Sequence, residues 1–69
     1  MFYEIEIVDG KLILFDDEGS NYECLPFASY REAKQTVRVW TQKYIMRIGE
    51  CYRRLDEYFS RLAAANVRG

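Results

Sequence analysis

Two short segments, Tyr3 to Val8 and Lys11 to Asp16, are rich in Ile, Leu and aromatic residues and are separated only by Asp9-Gly10. An Asp-Gly pair between such segments is a strong signal for a two-residue hairpin turn, because both central positions of that turn need positive φ. The turn sets the register: Ile7 opposes Leu12 and Ile5 opposes Leu14. These four share one face with Tyr3, while Glu4, Glu6, Ile13 and Phe15 point the other way. Asp16-Asp17-Glu18-Gly19-Ser20 reads as a second turn. Asn21 to Phe27 then forms a third strand, with Tyr22 and Cys24 expected on the core face if Leu14 opposes Tyr22, and with Pro26 marking an edge or the strand's end.

The period changes after Phe27. Ser29-Tyr30-Arg31-Glu32 is a capping box, which starts a helix. From there Ala33, Val37, Trp40, Tyr44, Ile48, Cys51, Leu55, Tyr58 and Leu62 fall within an arc of roughly 80° at helical spacing. The stripe crosses Gly49 in phase, so the spacing predicts one long helix over residues 29–66, with a bend at Gly49 permitted and a fold-back there as the alternative. Residues 66–69 read as a frayed helix end. The expected architecture is α+β: residues 1–69 as a single domain, with an antiparallel three-stranded meander over 1–27 followed by the helix. Its expected core is Tyr3, Ile5, Ile7, Leu12, Leu14, Tyr22, Ala33, Val37, Trp40, Tyr44 and Ile48.

About 35 helical residues span roughly 50 Å, whereas a strand of six or seven covers about 20 to 23 Å. A straight helix therefore leaves Cys51, Leu55, Tyr58, Phe59 and Leu62 uncovered, and an exposed apolar strip marks an interface. Self-association through Leu55, Tyr58, Phe59 and Leu62, as a homodimer, is the simplest resolution.

Composition narrows the chemistry. The 69 residues include no histidine and two cysteines, Cys24 and Cys51. That set assembles neither a disulfide framework nor a four-ligand zinc site, so no metal and no cofactor are expected. Ser29 has no histidine beside it and is accounted for as a helix cap. Asp16, Asp17 and Glu18 sit at a solvated turn, and the glycines are too scattered for a phosphate loop. Enzymatic activity is therefore not expected. Phe2 begins a strand pattern directly, without a signal-peptide profile, and no apolar run reaches the length of a membrane span, so a cytoplasmic protein that engages no membrane and no small-molecule substrate is expected.

The net charge of −1 conceals an uneven distribution. Residues 1–28 carry seven acids and one base, and residues 29–69 carry nine bases and four acids. Two surfaces follow. The first is acidic: Glu4, Glu6, Asp9, Asp16, Asp17, Glu18 and Glu23, with Ile13 and Phe15 between them, suit a protein or ribonucleoprotein with a basic nucleic-acid-binding surface. The second is basic: Arg31, Lys34 and Arg38 along one edge of the helix, with Lys43, Arg47, Arg53, Arg54 and Arg61 on its outer side, a pattern suited to phosphates. Pairing of Arg54 with Glu50 and of Arg61 with Glu57 at i, i+4 is the competing use of those bases.

Three strands followed by a helix resemble, in element order, the arm-binding domains at the N-termini of phage integrases, in which the sheet reads DNA; here the sheet is acidic. In general character, as a tiny histidine-free domain with an acidic hairpin and no catalytic machinery, the chain is similar to phage-encoded anti-CRISPR inhibitors. That resemblance implies a stoichiometric inhibitor in the bacterial host cell that binds a Cas effector complex and blocks target-DNA binding, its carboxylates standing in for phosphates. A protein-binding inhibitor is accordingly the first functional expectation, and a small nucleic-acid-binding regulator using the basic helix face the second.

Overall fold

The computed structural model describes residues 2–67. Strands β1 (Glu4–Val8), β2 (Lys11–Phe15) and β3 (Asn21–Pro26) precede two helices, α1 (Tyr30–Lys43) and α2 (Ile48–Val67). The sheet is an antiparallel meander in the order β1-β2-β3, and the fold class is α+β as expected. In the first hairpin Ile5 pairs with Leu14 and Ile7 with Leu12. Asp9 and Gly10 adopt φ of 51° and 74°, the doubly left-handed turn that an Asp-Gly pair favours.

The second turn is organised by Asp16, which is buried although charged. Its Oδ1 accepts from the Glu18 N–H at 3.0 Å and the Ser20 N–H at 2.9 Å. Its own N–H donates to the Ser20 carbonyl, and its carbonyl accepts from Gly19. A carboxylate that supplies acceptors to turn amides is better suited to burial than to a partner.

β3 departs from the expected register. Leu14 pairs with Glu23 and Phe15 with Asn21, a bulge that leaves Tyr22 as the extra residue. A one-residue shift exchanges the faces of a strand. Glu23 and Leu25 therefore take the face expected for Tyr22 and Cys24, and both of those residues are exposed. Tyr22 still packs edge-on against Tyr3, at 5.0 Å between ring centres.

The helix start is as the capping box requires, with the Ser29 hydroxyl accepting from the Glu32 N–H at 3.2 Å. The Glu32 carboxylate reaches one residue further back than expected, to the Ala28 N–H. The single long helix is not formed. α1 ends at Lys43 and Tyr44 is extended, at φ −127° and ψ 150°. The Tyr3 N–H donates to the Ile45 carbonyl at 2.8 Å, and Tyr3 bridges Met46 in parallel fashion. Residues 44–47 thus run beside the start of β1, and Met46 is buried there. Four residues are close to one helical turn of 3.6, so the interruption leaves the apolar period almost in phase. Gly49 is not the hinge; it lies within the first turn of α2, with open space around it.

This fold-back lays α2 against α1 and β1. Cys51 and Leu55, expected on an uncovered strip, are buried with Ile5, Leu12, Leu14, Ala33, Val37, Trp40 and Met46. Ile48, expected in the core, is half exposed. Tyr58 and Phe59 are partly buried around Phe27. Past them, Arg61 to Ala65, including Leu62, are exposed. Of the expected frayed end, residues 68 and 69 lie outside the described residues. Among the described residues, no helix is long and apolar enough to cross a membrane.

Candidate functional site

The two charged surfaces read from the sequence meet different fates. Three of the seven carboxylates are used within the fold. Asp16 builds its turn. Glu23 accepts from the Tyr44 hydroxyl at 2.8 Å and lies 3.8 Å from the Lys43 ammonium. Glu4 lies 3.7 Å from the Arg54 guanidinium. The Tyr44 hydroxyl, followed by the Trp40 indole, holds the Glu23 carboxyl below its ordinary pKa, and the same hydrogen bond raises that of Tyr44. The remaining four, Glu6, Asp9, Asp17 and Glu18, are exposed. In a meander consecutive turns lie at opposite ends of the sheet, so Asp9 is separated from Asp17 and Glu18 by the length of β2.

The bases on the outer side are also largely engaged. Arg53 forms ion pairs with Glu50 and with Glu57, the latter at 3.3 Å, and Glu50 raises its pKa. Arg54 reaches across to Glu4 instead of pairing with Glu50. Lys43 serves Glu23, and Arg47 stacks over the Phe2 ring at 4.7 Å. Arg61 lines a crease that also contains Glu6 and Glu57.

Arg31, Lys34 and Arg38 differ. All three are exposed, and among the described residues none forms an ion pair. Their spacing of three and four places them on one flank of α1, beside the buried stripe of Ala33, Val37 and Trp40. That flank faces the crease between the helices. Together with Tyr30, Gln35 and Tyr52 they line an open groove of about 430 Å³ that has no carboxylate in its wall. Such a volume lies within the ordinary range for ligand sites.

Tyr30 is fixed at the rim. Its hydroxyl donates to Asp56 of α2, which raises the Tyr30 pKa, and its ring meets Phe59 at 5.1 Å. The Lys34 ammonium sits over the Tyr30 ring, 5.1 Å from its centre. The groove thus offers three cations, two phenol rings and an amide, and no general base. Such a set of groups is chemically suited to an anion that also carries an apolar or aromatic surface.

The three bases of this flank are visible in the sequence as a helix edge. The part played by Tyr30 is also latent there, since residues 30, 34 and 38 follow at i, i+4 and i+8. Tyr52 carries no such signal, because it reaches the groove only through the fold-back that sets α2 beside α1. Among the described residues, no three His, Cys, Asp or Glu side chains converge as metal ligands, and burial pushes the Cys51 thiol pKa up, away from a reactive thiolate. Comparison with protein-family models, with curated proteins and with solved structures finds no match to this chain.

Proposed function

We propose that the chain is a non-catalytic binding module that recognises nucleic-acid phosphates through the Arg31–Lys34–Arg38 flank of α1. One observation carries this reading: among the described residues these three bases have no carboxylate partner and line a groove with no acid in its wall, while Arg53 and Arg54 of α2 are paired within the fold. Exposed cations aligned along a helix neutralise phosphates and release counterions, so binding should weaken steeply with salt. The near-zero net charge makes the interaction local, with little long-range steering.

The test is fluorescence anisotropy of labelled mixed-sequence nucleic acid at low salt. Reversing the charges of Arg31, Lys34 and Arg38 should abolish binding, and reversing Asp17 and Glu18 should leave it intact or strengthen it. Failure of the wild-type protein to bind at low salt would overturn the reading.

A second reading draws support from the Asp16 clamp, which holds Asp17 and Glu18 exposed on an ordered turn. On that reading the turn is presented to the basic groove of a protein or ribonucleoprotein, such as a Cas effector complex, as the anti-CRISPR resemblance implies. A nuclease-resistant complex with such a partner, lost on reversal of Asp17 and Glu18 alone, would favour it.

A further inference from the structure

We infer that the groove between α1 and α2 accepts single-stranded nucleic acid, with a base stacked on Tyr30, a second base against Tyr52, and phosphates on Arg31, Lys34 and Arg38. This rests on the phosphate-binding reading and adds the class of ligand. A duplex keeps its bases inside and offers a basic ridge only its backbone, which leaves both tyrosines unused. A single strand offers phosphates and exposed base faces together, and proteins that bind it combine a positive groove with aromatic platforms.

The geometry has both parts. Arg31 and Arg38 are separated by about 10 Å along the helix axis, enough for a few nucleotides, and the groove volume of about 430 Å³ suits one or two bases.

Tyr30 is prepared for stacking. The Asp56 acceptor and the Phe59 ring fix its orientation from α2, so little rotamer freedom remains to be lost on binding. Its π-face is occupied by the mobile end of a lysine, the Lys34 ammonium. An incoming base takes that face, and Lys34 moves to the adjoining phosphate, exchanging a cation–π contact for an ion pair. Tyr52, half-buried in the groove wall, bounds the second position.

The experiment measures affinity for a labelled twelve-nucleotide oligothymidylate and for a duplex of equal length, across a salt series. The single strand should bind more tightly, with a slope of log K against log salt near −2, from about 0.7 per phosphate over three phosphates. Tyr30→Leu should weaken single-strand binding by about 5- to 150-fold while leaving the slope unchanged. Tyr30→Phe, which keeps the ring, should stay within about threefold of wild type. Arg38→Ala should lower the slope by about 0.7. All variants are checked for wild-type circular dichroism, and Tyr30 is an exposed position. Duplex binding as tight as single-strand binding, or a Tyr30→Leu protein that binds the single strand like wild type, overturns this inference and leaves the phosphate-binding reading standing. Absence of binding to either oligonucleotide overturns both.

Discussion

α1 and α2 carry similar numbers of basic residues, yet the two sets act differently. On α2, Arg53 is held between Glu50 and Glu57, and Arg54 ties the helix to Glu4 at the sheet edge. On α1, Arg31, Lys34 and Arg38 line a groove and, among the described residues, form no ion pair. Arg53 and Arg54 are engaged within the fold, as is Lys43 at the end of α1. Charge counted along a sequence does not distinguish these cases. For Arg54 the turn at residues 44–47 decides the matter, because it sets α2 against β1 and brings Glu4 within reach, whereas Arg53 finds both of its partners on its own helix.

Trp40 is almost fully buried in the core to which both helices contribute, so its removal has the largest effect. Trp40→Ala should cost about 3 to 5 kcal/mol, a large share of the stability of a domain this size, and should abolish both the groove and the α2 contacts in a urea titration. Charge neutralisation separates the helices. Replacing Arg31, Lys34 and Arg38 by Ala should lower nucleic-acid affinity by about 100-fold, from three exposed charge contacts of up to about 1 kcal/mol each, with no loss of stability. The matching double replacement of Arg53 and Arg54 should leave binding within about threefold, since those charges are already satisfied. Equal losses from the two sets would remove the distinction.

Asp16→Ala probes the acidic end. Loss of the acceptor for two turn amides should destabilise the domain by about 1 to 3 kcal/mol, and binding at the α1 flank should be unaffected once the protein is folded. Acidification tests the Glu23 anchor. Its pKa is depressed in the folded state by Tyr44, so the stability it supplies is present above its ordinary pKa and is lost as pH falls through the lower folded value. Wild type should lose more stability than Glu23→Gln between about pH 5 and pH 3 in urea titrations. The smallest effect is expected for the Arg54–Glu4 pair, both partners being substantially exposed. A double-mutant cycle should give less than about 1 kcal/mol, reduced further by salt.

The hairpin was legible because Asp9-Gly10 admits few alternatives, and its register followed from turn length. The buried face of α1 was legible from Ala33, Val37 and Trp40, and its start from Ser29 and Glu32. The register of β3 was not, because the bulge at Tyr22 depends on how Asp16 closes the second turn. The break at residues 44–47 was hidden by its length: an interruption close to a helical turn preserves phase, so the stripe reads as continuous through Ile48. It is revealed only by the pairing of Tyr3 with Ile45 and Met46, residues far apart in sequence. The free flank of α1 was legible as a row of bases, but its freedom was not, since the sequence does not say that Arg54 would go to Glu4 or that Lys43 would serve Glu23.

The central claim, that the working surface is the α1 flank, is tested most directly by two-dimensional NMR of isotope-labelled protein titrated with a short single-stranded oligonucleotide. Shift changes should concentrate at Tyr30, Arg31, Lys34, Gln35, Arg38 and Tyr52, with Asp9, Asp17 and Glu18 unmoved. Changes centred instead on the α2 bases Arg53 and Arg54, or no changes at low salt, would contradict the account.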